Sequence, residues 1–141
     1  MNHDHSQVSS FAQSALAVPL AIVVWVVVYV LAYMALGLLD SLRGLSNDWL
    51  QSIFRELFTP GVGGYAALYA AHSWLSRANI KFVFWAFCVP VFLFMIGLPI
   101  FMIFFLPEGW TFSWGEQVIR WLGGAATIFG AWLAHKHISG E

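Results

Sequence analysis

Charged residues are scarce in this sequence, and their scarcity limits the class of protein. They make up 9% of the 141 residues, and 60% of the residues are hydrophobic, whereas an ordinary soluble domain has about 25% charged residues. The composition excludes a water-soluble globular domain. It indicates an integral membrane protein.

Basic residues and cysteines are also few. The formal net charge is -1 and the chain has no Lys/Arg-rich arm, so it offers no positive field for nucleic acid, and we expect no such partner. Cys88 is the single cysteine, which rules out an intramolecular disulfide. The start of the chain lacks the basic residues of a secretory signal. The first apolar segment is therefore interpreted as a retained span.

Two long segments contain no charged side chain. The first precedes Asp40, and its apolar part would cover about 37 Å as a helix, which exceeds the roughly 30 Å hydrocarbon core of a bilayer. With two less apolar segments, the sequence predicts an all-α integral membrane protein, a four-transmembrane-helix bundle in a single membrane domain spanning residues 1–141. The predicted spans lie near 13–39, 60–77, 80–106 and 114–136.

The segment at about 47–58 alternates apolar and polar residues with helical periodicity. This pattern predicts a short amphipathic interfacial helix lying along the membrane surface; a connector packed on the protein is the alternative. Thr59 is expected to cap the second span, with Pro60 in its first turn. Ser113 and Glu116 have capping-box spacing at the start of the fourth span.

The basic residues divide between the two sides of the predicted topology. Arg77, Lys81 and Lys136 share a side with both termini, and Arg43 and Arg55 lie on the other, where Arg120 also begins the fourth span. The positive-inside rule compares Lys and Arg in short loops. It favours a multi-pass protein of a bacterial inner membrane with both termini in the cytoplasm.

The second predicted span is small and polar rather than bulky. Tyr65, Tyr69, His72 and Ser76 form a polar stripe, and the opposite side carries Gly and Ala. Lipid chains satisfy neither side, because the stripe needs hydrogen-bonding partners and the small side packs best against another backbone. We expect this helix to be central, with both sides covered by protein.

The fourth predicted span has a similar division, with bulky residues such as Trp121 and Trp132 on the expected lipid side. We expect its small and polar side to meet that of the second span. The candidate polar path or interhelical network consists of Tyr65, Tyr69, His72, Glu116, Arg120 and Thr127. The candidate helix-packing face consists of Gly63, Ala67, Ala71, Gly123, Gly130 and Ala134.

Pro90 and Pro99 interrupt the third predicted span. Each proline removes a backbone N–H and so leaves the carbonyl four residues earlier without its helical partner. For Pro99 that carbonyl belongs to Met95. We consider Tyr29, Tyr33 and water as replacement donors.

Arg120 and His72 are the intramembrane polar residues with the most functional potential. Arg120 lies four residues after Glu116, a spacing that favours an ion pair; it is interpreted as a structural anchor, with a binding or conduction role as the alternative. His72 is interpreted as a hydrogen-bonded structural residue. Haem ligation with His135 as second ligand, or proton relay, is the alternative.

Metal binding has weak support in the sequence. His3 and His5, and likewise His135 and His137, are two residues apart and so do not share a helix face, and Lys136 between the latter pair would repel a cation. We predict no catalytic residue, no metal and no cofactor.

These patterns lead to one preferred function. The preferred interpretation is a small non-enzymatic membrane subunit that self-associates or docks on a larger membrane complex through the small and polar faces of the second and fourth spans. The alternative is an oligomeric channel or a transporter of small solutes or lipids, with a polar path along those helices. A redox carrier or enzyme centred on His72 is the third possibility.

Overall fold

The computed structural model is all-helical over the residues it describes, which are 3–43, 49–105 and 113–140, with side chains described for 10–39, 41, 55–105 and 113–140. The four helices are α1 (His3–Arg43), α2 (Trp49–Trp74), α3 (Ile80–Phe105) and α4 (Trp114–Ser139). No strand occurs in these ranges. The predicted all-α fold with four helices is confirmed.

Successive helices run in opposite directions. At one end, which we call the proximal end, Ser10 of α1 contacts the turn before α3, and His135 of α4 lies against Phe84 of α3. At the other, distal end, Arg55 of α2 lies over the ring of Tyr33 in α1. Helices α2 and α4 are therefore parallel. Helix α1 begins and α4 ends at the proximal end.

Helix α2 occupies the centre of the packing, as the sequence predicted. It makes its most extensive contacts with α4 and with α1, whereas α3 packs more sparsely against α4 and α1. The core is built largely from alanine, which allows the helices to approach closely. Its buried apolar residues are Ala17, Ala21, Ala67, Leu68, Ala71, Val83, Phe87, Cys88, Ala131 and Ala134.

The structure has one continuous helix where the sequence predicted two. Thr59 does not cap a helix, because its hydroxyl donates to the Arg55 carbonyl at 2.7 Å, and Pro60 lies inside α2. The carbonyl that Pro60 leaves free, that of Glu56, faces Gly123 of α4, where an added Cβ would lie 3.2 Å from the oxygen. Close packing against α4 therefore accommodates the proline within the helix.

The predicted interfacial helix at 47–58 is thus the first part of α2, and its residues 47 and 48 lie outside the described part of the chain. The side chains of residues 49–54, on which the amphipathic pattern depends, are also outside the described side chains. Helix α2 ends at Trp74 rather than at residue 77. Ser76, predicted as part of the polar stripe, lies in the turn.

The turn between α2 and α3 is held by the first part of α1. The Ser10 hydroxyl donates to the Arg77 carbonyl at 3.1 Å, the Arg77 N–H donates to the Gln13 side-chain oxygen at 3.2 Å, and the Asn79 N–H donates to the Ser14 hydroxyl at 2.8 Å. Ser14 is only 3% exposed. These contacts fix the proximal end of the bundle.

Asn79 caps the start of α3. Its side-chain oxygen accepts the N–H of Phe82 at 3.2 Å, and its backbone carbonyl accepts the N–H of Val83 at 3.0 Å. Substituting an N-cap asparagine with alanine costs about 1 kcal/mol. We expect Asn79→Ala to lower the free energy of unfolding by about that amount, measured by denaturant unfolding in detergent. The control Asn79→Asp keeps an acceptor and should lose less; equal losses would contradict the capping role.

Helix α4 begins at the predicted position without the predicted capping box. Ser113 has an extended backbone and makes no side-chain capping bond; its carbonyl accepts the N–H of Gln117. Glu116 is exposed. At the other end Gly140 adopts a left-handed conformation with φ 72° and donates its N–H to the Lys136 carbonyl, a common way to end a helix.

An indole supplies the donor that Pro99 removes from α3. The Trp121 Nε1–H donates to the Met95 carbonyl at 2.8 Å. The predicted donors Tyr29 and Tyr33 lie elsewhere, in a stack that continues from Trp25 along α1. Trp121, which was assigned to the lipid side, is 38% exposed and links α4 to the kinked part of α3.

Within the described residues, two helices are long and apolar enough to cross a membrane. They are α1, over Ser10–Leu39, and α3, over Ile80–Phe105. Only 11% and 17% of their most apolar 18-residue stretches are buried inside the protein, whereas a soluble protein buries the apolar face of a helix against its core. Extended uncovered apolar surface of this kind is typical of lipid-facing helices.

Candidate functional site

Helices α2 and α4 pack so closely that their backbones are in contact; we call this contact the seam. A Cβ added to Gly130 would collide with the Gly61 carbonyl oxygen and lie 3.1 Å from the Tyr65 nitrogen. A Cβ added to Gly64 would collide with the Thr127 carbonyl oxygen. Glycine at these positions therefore sets the distance between the two helices. The seam leaves no room for a solute.

The six predicted packing residues lie on two different contacts. Gly63 faces Trp25 of α1, with an added Cβ 3.0 Å from the indole, and Ala67 and Ala71, one and two turns later, are buried. Gly123 and Gly130 face α2, and Ala134 is buried. The predicted small faces of α2 and α4 therefore do not meet each other.

Gly61 and Gly64, rather than the Gly63–Ala67–Ala71 side, form the α2 half of the seam. The prediction treated α2 as having one small side opposite one polar side. Gly61 and Gly64 are three residues apart and so lie on neighbouring positions of one helix face. That spacing, next to the polar stripe, was the available signal for a second packing face.

A cluster of polar rings lies at the outer edge of the seam, and we call it the tyrosine–histidine cluster (Tyr65, Tyr69 and His137). The Tyr65 hydroxyl and His137 Nδ1 are 2.9 Å apart and hydrogen-bonded. The two tyrosine rings stack with centroids 6.0 Å apart and planes 11° apart. The His137 ring presents an edge to both, with centroid distances of 6.3 and 6.1 Å.

The tyrosine–histidine cluster is open to the surroundings of the protein. Tyr69 is 48% exposed, and its hydroxyl has no hydrogen bond to any described residue. Within this chain Ala67 is fully buried, whereas Tyr69 is not covered by the other helices; cover of Tyr69 by a partner stays a prediction. In an apolar solvent, a phenol hydroxyl without a partner is unfavourable.

The cluster contains a histidine that the sequence analysis did not select. His137 was considered only together with His135, as a weak metal pair. In the structure the two rings have different neighbours. His135 packs on Phe84, with ring centroids 5.2 Å apart, and His137 packs on Tyr65 and Tyr69. The spacing of two residues on a helix predicts this divergence.

The remaining residues of the predicted polar path are dispersed. Thr127 is buried in the seam and donates to the Gly123 carbonyl at 3.1 Å. Glu116 and Arg120 are exposed, and neither forms the predicted ion pair or another hydrogen bond within the described residues. The structure therefore brings Tyr65 and Tyr69 together with His137, and it leaves Glu116 and Arg120 outside the cluster.

His72 lies on α2 one turn beyond Tyr69. Its Nδ1 atom is buried and has no hydrogen-bonding partner among the described residues, so the predicted structural hydrogen bond at that atom is not observed. Within the residues described, no three His, Cys, Asp or Glu side chains converge as metal ligands. His3 and His5 lie outside the described side chains.

Comparison of the chain with protein-family models, curated proteins and solved structures gives no match. The function is therefore inferred from the side chains described above.

Proposed function

We propose that this chain is a small non-enzymatic integral membrane subunit that self-associates or docks on a larger membrane complex through the outer edge of the α2–α4 seam. The observation that supports it is the half-exposed tyrosine–histidine cluster. Helices α2 and α4 bury their small residues within the chain. The cluster is the polar part of the seam that stays exposed, and it is therefore available to an external partner.

Membrane placement follows from the apolar helices. We propose that α2 and α4 also span, because in the antiparallel order both lie alongside the candidate spans α1 and α3. Arg77, Lys81 and Lys136 are then on the side of the proximal end, and Arg43, Arg55 and Arg120 lie toward the distal end. We propose that the proximal end, which has the basic residues of the short α2–α3 turn, faces the cytoplasm of a bacterial inner membrane.

The partner interface is proposed at the cluster because its exposed polar rings offer a partner both contact area and a hydrogen bond. Interhelical hydrogen bonds in membranes average about 0.6 kcal/mol and reach about 1.7 kcal/mol. The Tyr69 hydroxyl has no described partner, so a second copy or another subunit that supplies an acceptor would gain such a bond. Aromatic rings also contribute large contact area at interfaces.

We favour a subunit over a channel or transporter because the seam is closed within one chain. Glycine-to-carbonyl packing fills the space between α2 and α4, and the exposed Arg120 is separate from the cluster. A conduction path would have to form between copies. Even then, the cluster would be part of an interface.

Tyr69→Ala is expected to reduce assembly in the membrane. Native mass spectrometry of the gently extracted protein should show the wild type with a second copy or a bound partner, and the variant mainly alone. Trp85→Ala is the matched control, because Trp85 is a 57% exposed aromatic side chain on α3 outside the seam. A wild-type protein found only as a free monomer, or equal assembly of both variants, would refute the proposal.

A further inference from the structure

A depression of about 260 Å³ lies at the proximal end between α1 and α3. Ser10, Ser14 and Asn79 supply its polar groups, and Phe11 and Phe82 its aromatic walls. Both phenylalanines are open to the outside, with exposures of 73% and 47%. The depression is therefore polar at its base and apolar where it faces the surroundings.

The depression lies at the proximal start of the apolar helix α3. The candidate span of α3 begins at Ile80, directly after Asn79, which lines the depression together with Ser10, Phe11 and Ser14 of α1. In a membrane this is the boundary between head groups and hydrocarbon. A ligand there meets hydroxyl and amide groups on one side and acyl chains on the other.

Two cations, Arg77 and Lys81, are near neighbours in the chain of the lining residues Asn79 and Phe82, although neither lines the depression itself. Arg77 is held by its backbone to Ser10 and Gln13, and Lys81 precedes Phe82 on α3. Both side chains are exposed, and neither forms a hydrogen bond or ion pair with another described residue. Basic residues near a membrane surface attract anionic lipid head groups.

Described carboxylates do not oppose these cations. Within the part of the chain whose side chains are described, the acidic residues are Glu56, in the distal half of α2, and Glu116, in the first turn of α4. Both are remote from the proximal end. The local charge at the depression is therefore positive among the described side chains.

We propose that this depression binds the head-group and glycerol region of one anionic phospholipid, with Arg77 and Lys81 facing the phosphate and the acyl chains running along Phe11 and Phe82. The inference rests on the membrane placement proposed above. It does not depend on the partner interface, because the depression is formed by α1 and α3 and the seam by α2 and α4.

The test is a lipid titration followed by native mass spectrometry in neutral detergent, with phosphatidylglycerol and phosphatidylcholine of identical acyl chains. The same spectrum reports copies per particle and lipids per chain separately, so a failure of assembly is distinguishable from a failure of lipid binding. We expect one phosphatidylglycerol per chain, favoured over phosphatidylcholine by about tenfold.

Variants test whether the preference for phosphatidylglycerol over phosphatidylcholine arises at the depression. Arg77→Gln and Lys81→Gln should each reduce the ratio of the two affinities. The double variant should have a ratio close to one, without loss of helical circular dichroism. Phe11→Ala should weaken both lipids alike. Lys136→Gln is the control, since that ammonium lies at the same end but 5.0 Å above the Trp132 ring on α4, and the preference should persist.

Three results would overturn the inference. Equal binding of the two lipids would remove the anionic selectivity, and an equal loss in Lys136→Gln and Lys81→Gln would assign it to the overall charge of the proximal end. Displacement of phosphatidylglycerol by an excess of soluble glycerol phosphate would identify a phosphate site that needs no lipid.

Discussion

Gly130→Ala is expected to destabilise the protein by about 3 kcal/mol, toward the upper end of the range for an overpacked core. The added methyl group would meet the Gly61 carbonyl oxygen and the Tyr65 backbone, neither of which can move without shifting α2. Gly64→Ala should have a similar effect, because its methyl group would meet the Thr127 carbonyl. Unfolding in mixed detergent and SDS measures both.

Other glycines provide graded controls for this prediction. A Cβ at Gly97 has nothing within 4 Å, so Gly97→Ala should be neutral or slightly stabilising. The three atoms nearest to a Cβ at Gly124 all belong to the Met95 side chain, which is flexible and can move. We therefore expect Gly124→Ala to fall between the two. Similar losses in Gly97→Ala and Gly130→Ala would show that packing at the seam does not determine stability.

Trp121→Phe is expected to cost about 2 kcal/mol when Pro99 is present, because it leaves the Met95 carbonyl without a donor in an apolar environment. Alanine at position 99 would restore an N–H to the same carbonyl. The cost of Trp121→Phe should therefore be smaller in a Pro99→Ala background. Lost packing of the indole ring would cost the same in both backgrounds, so a smaller cost in the Pro99→Ala background identifies the hydrogen bond.

A double-mutant cycle measures the coupling from the unfolding free energies of the wild type, the two single variants and the double variant. Trp132→Phe provides the control, since Trp132 is 41% exposed and stacks on Phe129 of its own helix. Its cost should be the same in both backgrounds. Additive effects of Trp121→Phe and Pro99→Ala would contradict a role for the indole as replacement donor.

The four helices could be predicted because composition and periodicity determine them. The charge-free runs around Val27 and Phe94 are long and apolar enough for membrane spans, and the small residues of α2 indicated a central helix. The boundary at Thr59 and Pro60 was wrong because this pair is typical of a helix start. In the structure, Pro60 packs against Gly123 of α4 and the helix continues. Gly123 is distant along the chain, so the local sequence around Pro60 does not predict this contact.

The site was less predictable than the fold. The sequence predicted Tyr65 and Tyr69 as members of one polar stripe, since their spacing is local. Their partner His137 is distant along the chain, and its position depends on the rotation of α4, which Gly61 and Gly64 determine through backbone contact. The sequence analysis placed Trp121 on the lipid side because the indole ring is large and apolar. The ring also carries one N–H donor, which bonds to the Met95 carbonyl in the structure.

The parallel packing of α2 and α4 also has a consequence for biosynthesis. Because the chain emerges from the ribosome in order, α1 and α2 are made before α4, and α2 must wait with Gly61 and Gly64 uncovered. During this interval α2 lacks α4, the helix with which it makes its most extensive contact. The Gly61 and Gly64 surface of α2 is thus completed only by α4, the last of the four helices described, and a chain that ended before Trp114 would leave that surface uncovered.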